Sequence, residues 1–258
     1  MSQKIINQAN LLRDSGKTKT AMKILEPLTR VKDYQVAVNA TISLGICYSN
    51  EGNYEKSIAL YKKAIAICKK NKWTARIGSI YRDMAIVAKG AKKYKEAEKL
   101  FSKSIDTIKK YYDEGQGLNA SVGITWAKLG TLHILTKQFD KAKKEFETAR
   151  KMLKKGNHEY WSMMTEVDYA GFLVTQKKYP EAKKIIQKAI PESIRQDKEY
   201  FLVKGLIVSG DIEKGLKNPD GAKAFYSMAK ITVEKIFDSK EVREKFEKEI
   251  ENRLTNKL

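Results

Sequence analysis

Two histidines, two cysteines and one short acidic cluster are the groups in this chain best suited to nucleophilic, acid–base or metal chemistry. His133 falls on the packing side of a helical pattern and reads as a core histidine rather than a base or ligand. His158 falls in a Gly156-Asn157-His158 turn and reads as solvated. A Cys–His nucleophile pair would need hydrogen-bond contact, yet Cys47 and His133 lie two pattern repeats apart. Cys47 and Cys68 are expected at different levels of one helical hairpin, about 12 Å apart at the helical rise, too far for a disulfide. Asp211, Glu213 and Asp220 do not have calcium-loop spacing. The chain shows no phosphate-cradling glycine loop ending in Lys-Ser/Thr, no Cys-x2-Cys and no His-x3-His pair. It therefore reads as a non-enzymatic protein using no cofactor and no metal.

The remaining chemistry is charge. Among 258 residues, 51 Lys+Arg face 31 Asp+Glu, a formal charge of +20. Lys69-Lys70, Lys109-Lys110 and Lys154-Lys155 recur at the ends of expected helices, and Lys92-Lys93, Lys137 and Lys177-Lys178 recur at the opposite edge. Stacked in register, these would form ridges able to track an acidic protein or nucleic-acid phosphate. The plainer reading is helix electrostatics, with cations at carboxyl ends and Glu55, Glu96, Asp140, Glu181 and Asp220 near amino ends. Only eight of the basic residues are arginine, few for a surface that must grip phosphate with guanidinium forks.

The elements that position these residues are repeats. Glycine and proline number only 15 and 4, too few for a many-stranded sandwich or barrel, and 42% hydrophobic residues exclude general disorder. No run is long and apolar enough to span a membrane. The amino terminus lacks a signal-peptide core, so the cytoplasm is the expected compartment. Leu44-Gly45-x-x-Tyr48 followed by Ser57, Tyr61 and Ala64 returns as Met84-Ala85 with Ala97, Phe101 and Ser104. It returns again as Trp126-x-x-Leu129-Gly130-x-x-His133 with Ala142, Phe146 and Ala149, and as Tyr169-Ala170 with Ala182, Ile186 and Ala189. Small residues at Ala21, Ser57, Ala97, Ala142, Ala182 and Ala222 step by 36, 40, 45, 40 and 40. Offsets of four and seven place each set on one helical face, so every repeat is two packed helices, the small residues allowing close approach beside a large neighbour.

This pattern resembles the tetratricopeptide repeat, in its long-helix form with about 40-residue repeats. The resemblance implies an all-α, right-handed superhelical solenoid of about six helix-turn-helix repeats, a single domain over 1–258. The segment 239–258, with Val242, Phe246, Ile250 and Leu254 spaced by four, would cap the open end. The 45-residue step places extra residues around Tyr111–Gly117, a candidate hinge near 111–121 or simply a longer surface connection. In function the resemblance implies a scaffold binding a protein or peptide on its concave face, and the positive charge makes an acidic partner one option. Nucleic acid or another polyanion, held by Lys69, Lys70, Lys109, Lys110, Lys154 and Lys155, is the alternative, and no membrane insertion is expected.

In this family the first helix of each repeat lines the inner wall. Read by register, that wall includes Asn10, Arg13, Asn39, Ile42, Ile46, Asn50, Arg82, Ile86, Lys89 and Lys128, beside Ile6, Ile124 and Ile207. Apolar groups would supply affinity, while amides and cations would hold a peptide backbone and acidic side chains. Some relatives grip a chaperone's terminal carboxylate with a Lys/Asn/Arg clamp. Here Asn10 matches one clamp asparagine, but Ile6 replaces its lysine and Ser43 the next asparagine, which disfavours that ligand.

Overall fold

The computed structural model describes residues 2–14, 17–111, 116–155, 158–195, 199–236 and 240–255. These form thirteen helices with no strand among the described residues: α1 (Ser2–Asp14), α2 (Thr18–Leu28), α3 (Tyr34–Asn50), α4 (Tyr54–Lys70), α5 (Thr74–Gly90), α6 (Tyr94–Tyr111), α7 (Gln116–Leu135), α8 (Phe139–Lys155), α9 (Glu159–Thr175), α10 (Tyr179–Arg195), α11 (Glu199–Gly215), α12 (Pro219–Ile236) and α13 (Lys240–Thr255). Consecutive helices pair into six hairpins, as the repeat pattern requires. The chain divides into two compact units, 1–152 and 153–258. The core of the candidate hinge, residues 112–115, lies outside the described residues.

The hairpin turns explain much of the lysine periodicity. Gly52, Lys92, Lys137, Lys177 and Lys217 each close a hairpin in the left-handed backbone region, with φ of 72°, 59°, 59°, 57° and 61°. The residue after each donates its N–H five positions back: Asn53 to Tyr48, Lys93 to Ala88, Gln138 to His133, Lys178 to Leu173 and Asn218 to Glu213, at 2.8–2.9 Å. This is the glycine-type helix stop, built mostly with lysine. Gly90 is the last residue of α5, and Lys92 takes the left-handed position. Helix starts are conventional. The Asp33 carboxylate accepts from the Gln35 and Val36 N–H groups, and the Asn53 amide oxygen accepts from that of Lys56. Pro219 opens α12, where its missing N–H costs nothing.

Packing within each hairpin rests on one contact. A small residue in the first helix faces a large ring sixteen positions later in the second: Gly45 against Tyr61, Gly130 against Phe146, Gly210 against Tyr226. A Cβ at Gly45, Gly130 or Gly210 would lie 3.3, 3.0 or 2.3 Å from the facing ring. The rings of Tyr61, Phe146 and Tyr226 are fully buried, as is Phe101 opposite Ala85. The six small residues from Ala21 to Ala222 are all buried, and the Ser57 hydroxyl donates to the Gly45 carbonyl at 2.8 Å. Cys47 and Cys68 are free thiols, both buried, and burial pushes the Cys68 thiol up. In the second unit Phe246 and Ile250 of α13 are buried with Val203, Leu206, Tyr226 and Val233, so this helix covers the apolar side of the last hairpin.

These contacts make two opposite expectations. Gly210→Ala should destabilise by about 1–3 kcal/mol through overpacking, because the Tyr226 hydroxyl is tied to Asp211 at 2.7 Å and its ring cannot retreat freely. Lys137→Gly should stabilise by about 1 kcal/mol, relieving a left-handed non-glycine residue. Urea denaturation of the two variants checks both signs.

Candidate partner-binding face

In the first unit α1, α3, α5 and α7 share one face, joined at the repeat period. The Asn39 amide donates to Gln3 Oε1 at 2.7 Å, Lys89 Nζ to Thr131 Oγ1 at 3.1 Å, and Arg82 Nη1 to Ser121 Oγ at 3.5 Å. Within α1, Arg13 Nη1 donates to Asn10 Oδ1 at 2.8 Å. Asn10, Arg13, Asn39, Arg82, Lys89 and Lys128 are half-buried, and Asn50 is exposed. Ile42 and Ile46 are also half-buried, packed on a cluster containing Ile77, Ile80 and Met84. Ile86 is the most open of the three isoleucines, 38% exposed. Ile6, Ile124 and Ile207, expected on the same wall, are buried and serve the core.

One residue of this face was passed over in the register. Asp83 adjoins Arg82, its carboxylate 3.4 Å from the guanidinium. Burial pushes the Asp83 carboxyl up and the Arg82 charge pulls it back only in part. The charge of Asp83 also adds to burial in raising the Tyr61 hydroxyl, while Arg13 opposes. A signal for Asp83 existed: it lies four positions from Ser79 and three from Ile86, on the same helical face. Apart from Asp83, the charged residues of α3, α5 and α7 are all basic: Arg76, Arg82, Lys89 and Lys128. The second unit differs. The charges of α9 are Glu159, Glu166 and Asp168, all acidic, and Asp168 lies 3.3 Å from Lys204 of α11. Burial alone would push the Lys204 amine down, but Asp168 outweighs it and the group is raised.

His133 is buried as expected, but in a charged setting. Its Nδ1 lies 2.7 Å from Glu145 of α8, and its Nε2 lies 3.1 Å from Glu98 of α6. Burial pushes the Glu145 carboxyl up despite the ring. Partial burial acts the same way on Glu98, but His133 and Lys141 together bring it below the usual range. The three groups form a polar tie across α6, α7 and α8. His158, expected in a solvated turn, is half-buried at the start of α9, and its Nε2 has no hydrogen-bond partner among the described residues.

Among the described residues no group of three or more His, Cys, Asp or Glu could hold a metal ion, and no helix is long and apolar enough to cross a membrane. Lys69, Lys70, Lys109 and Lys110 of the first unit, and Lys154 and Lys155 of the second, are exposed. Lys70 and Lys109 each hold their amine 5.8 Å from an aromatic ring, Tyr34 and Trp126 respectively.

Successive helical hairpins with a shared first-helix face define a helical-repeat fold. Residues 35–110 match the tetratricopeptide repeat family, and a helical hairpin of the same kind recurs through the rest of the described residues. No curated protein sequence matches it. Similar solved structures include BtubC (BKLC) from P. vanneervenii, 16% identical with a TM-score of 0.64, over 86% of this chain and 90% of that one. The apo form of RapI is 14% identical with a TM-score of 0.66, over 91% and 84%. Aspartyl phosphate phosphatase F from Bacillus subtilis is 14% identical with a TM-score of 0.67, over 90% of this chain but 59% of that one. These likenesses establish the fold.

The buried histidine tie has a pH signature. In His133→Ala the Glu145 carboxyl loses the ring that pulls it down while staying buried, so its raised folded-state pKa rises further. A raised carboxyl favours folding at low pH, where it can bind a proton, and opposes folding as pH climbs. The variant should lose about 2–4 kcal/mol at neutral pH, and measurably less at pH 5, in urea titrations run at both values.

Proposed function

We propose that the chain is a non-enzymatic scaffold that captures a peptide or partner helix of acidic character on the first-helix face of its front unit, the side that is concave in tetratricopeptide solenoids. Asn10, Arg13, Asn39, Asn50, Arg82, Lys89 and Lys128 would supply polar grip, and Ile42, Ile46 and Ile86 the apolar contact. The observation that carries this reading is the exposure of Ile86 beside Arg82 and Lys89: an isoleucine left open among cations suits an acidic amphipathic ligand better than it suits solvent. Segments 1–258 would act as one scaffold, with α13 as its cap, in the cytoplasm.

Ile86→Asp should abolish capture of the partner recovered from native lysate while leaving helicity and melting temperature unchanged, since the side chain contributes little to the core. Ile42→Asp should also lose capture, but with a stability cost from its half-buried packing. Retention of the partner by Ile86→Asp would defeat the reading. The exposed lysines at 69, 70, 109, 110, 154 and 155 are the surface a polyanion would use instead. That alternative requires retention on nucleic acid at about 50 mM salt and steep loss by about 200 mM. Ligand capture that persists through this range favours the peptide reading.

A further inference from the structure

The second helices of the hairpins present lysine outward at a fixed place. Counted from the buried alanine, the position two residues on is Lys99 in α6, Lys144 in α8 and Lys184 in α10, and the position six on is Lys103 in α6 and Lys188 in α10, all exposed. In α12 the equivalent positions hold Ala224 and Met228, and the next outward position holds Ile231. All three are exposed, Met228 at 51% and Ile231 at 50%. The surface that carries lysine on α6, α8 and α10 is apolar on α12, which is what a covered surface requires.

The flanking residues indicate what covers it. At 100° per residue, Asp220, Ala224, Ser227, Met228, Ile231 and Lys235 fall within about 100° of arc. Asp220 is in the first turn of α12 and Lys235 in the last. The strip is self-complementary under a two-fold axis passing between Ser227 and Met228. In an antiparallel pair, Asp220 of each copy meets Lys235 of the other, Ala224 meets Ile231, and Ser227 meets Met228. The small Ala224 and Ser227 allow close approach of the backbones, and antiparallel alignment sets the two helix dipoles head to tail.

We propose that α12 is a homodimer interface, in which two copies of this chain pair their α12 helices antiparallel through this strip. An isologous contact of this kind closes after two copies and does not propagate into a filament. One helix pair lies at the small end of specific interfaces, so a dissociation constant in the micromolar range is expected.

Sedimentation of the full chain, from about 1 to about 200 µM to bracket that range, provides the test. The wild type should pass from monomer to dimer. Met228→Lys with Ile231→Lys, which installs the residue type seen outward on the other helices, should remain monomeric throughout with unchanged helicity. Asp220→Lys should weaken the dimer about tenfold, the loss of an attractive charge pair and gain of a repulsive one, and adding Lys235→Asp should restore it. A wild type that stays monomeric at the highest concentration overturns the proposal, as does a dimer indifferent to the lysine pair. A dimer that the double charge reversal does not recover overturns the antiparallel register.

Discussion

Everything in this chain depends on how closely the two helices of a hairpin approach. Glycine at 45, 130 and 210 lets the facing ring of Tyr61, Phe146 or Tyr226 sit directly on helix backbone. That proximity buries the ring completely and fixes the depth at which the second helix lies. The polar ties then follow. Ser57 reaches the Gly45 carbonyl only because the backbones are near, and Tyr226 reaches Asp211 because its ring is held flat against Gly210. The same distance rule, recurring at nearly constant steps, sets where first-helix residues of neighbouring repeats meet.

The recognition face inherits its order from this spacing. Gln3 with Asn39, and Lys89 with Thr131, are one repeat apart and bonded. A partner would therefore meet amides and cations already held in place rather than free side chains that must be ordered on binding. Charge is divided along the chain as well. The charges of α3, α5 and α7 are basic apart from Asp83, whereas α9 is wholly acidic in its charges. Each unit thus offers a different surface, even though both are built from the same hairpin.

The architecture was legible in the sequence because the constraint is local. Small and large residues at fixed separations can be read without knowing how anything folds. The candidate face was only partly legible. Register placed Ile6 and Ile124 on the wall alongside Ile86, but burial separates them, since a helix face has edges that dip into the core and spacing does not say how deep. Asp83 was left out of the register although its spacing from Ile86 places it on the same face. The lysines before each second helix illustrate another gap. Their recurrence was visible as charge, yet the left-handed φ at Lys92, Lys137, Lys177 and Lys217 shows a backbone role that charge patterning cannot reveal. His133 was correctly placed inside, but its two glutamate partners come from neighbouring helices whose contact depends on three-dimensional packing.

The two cysteines have a consequence of their own. Cys47 and Cys68 sit on the two helices of one hairpin, fully shielded, and neither is tied into a disulfide. Cys47 packs with residues of α1 and α2, and Cys68 with residues of α5. The rates at which a thiol reagent modifies the two therefore report local opening at two separate places in the front of the chain, without any introduced label.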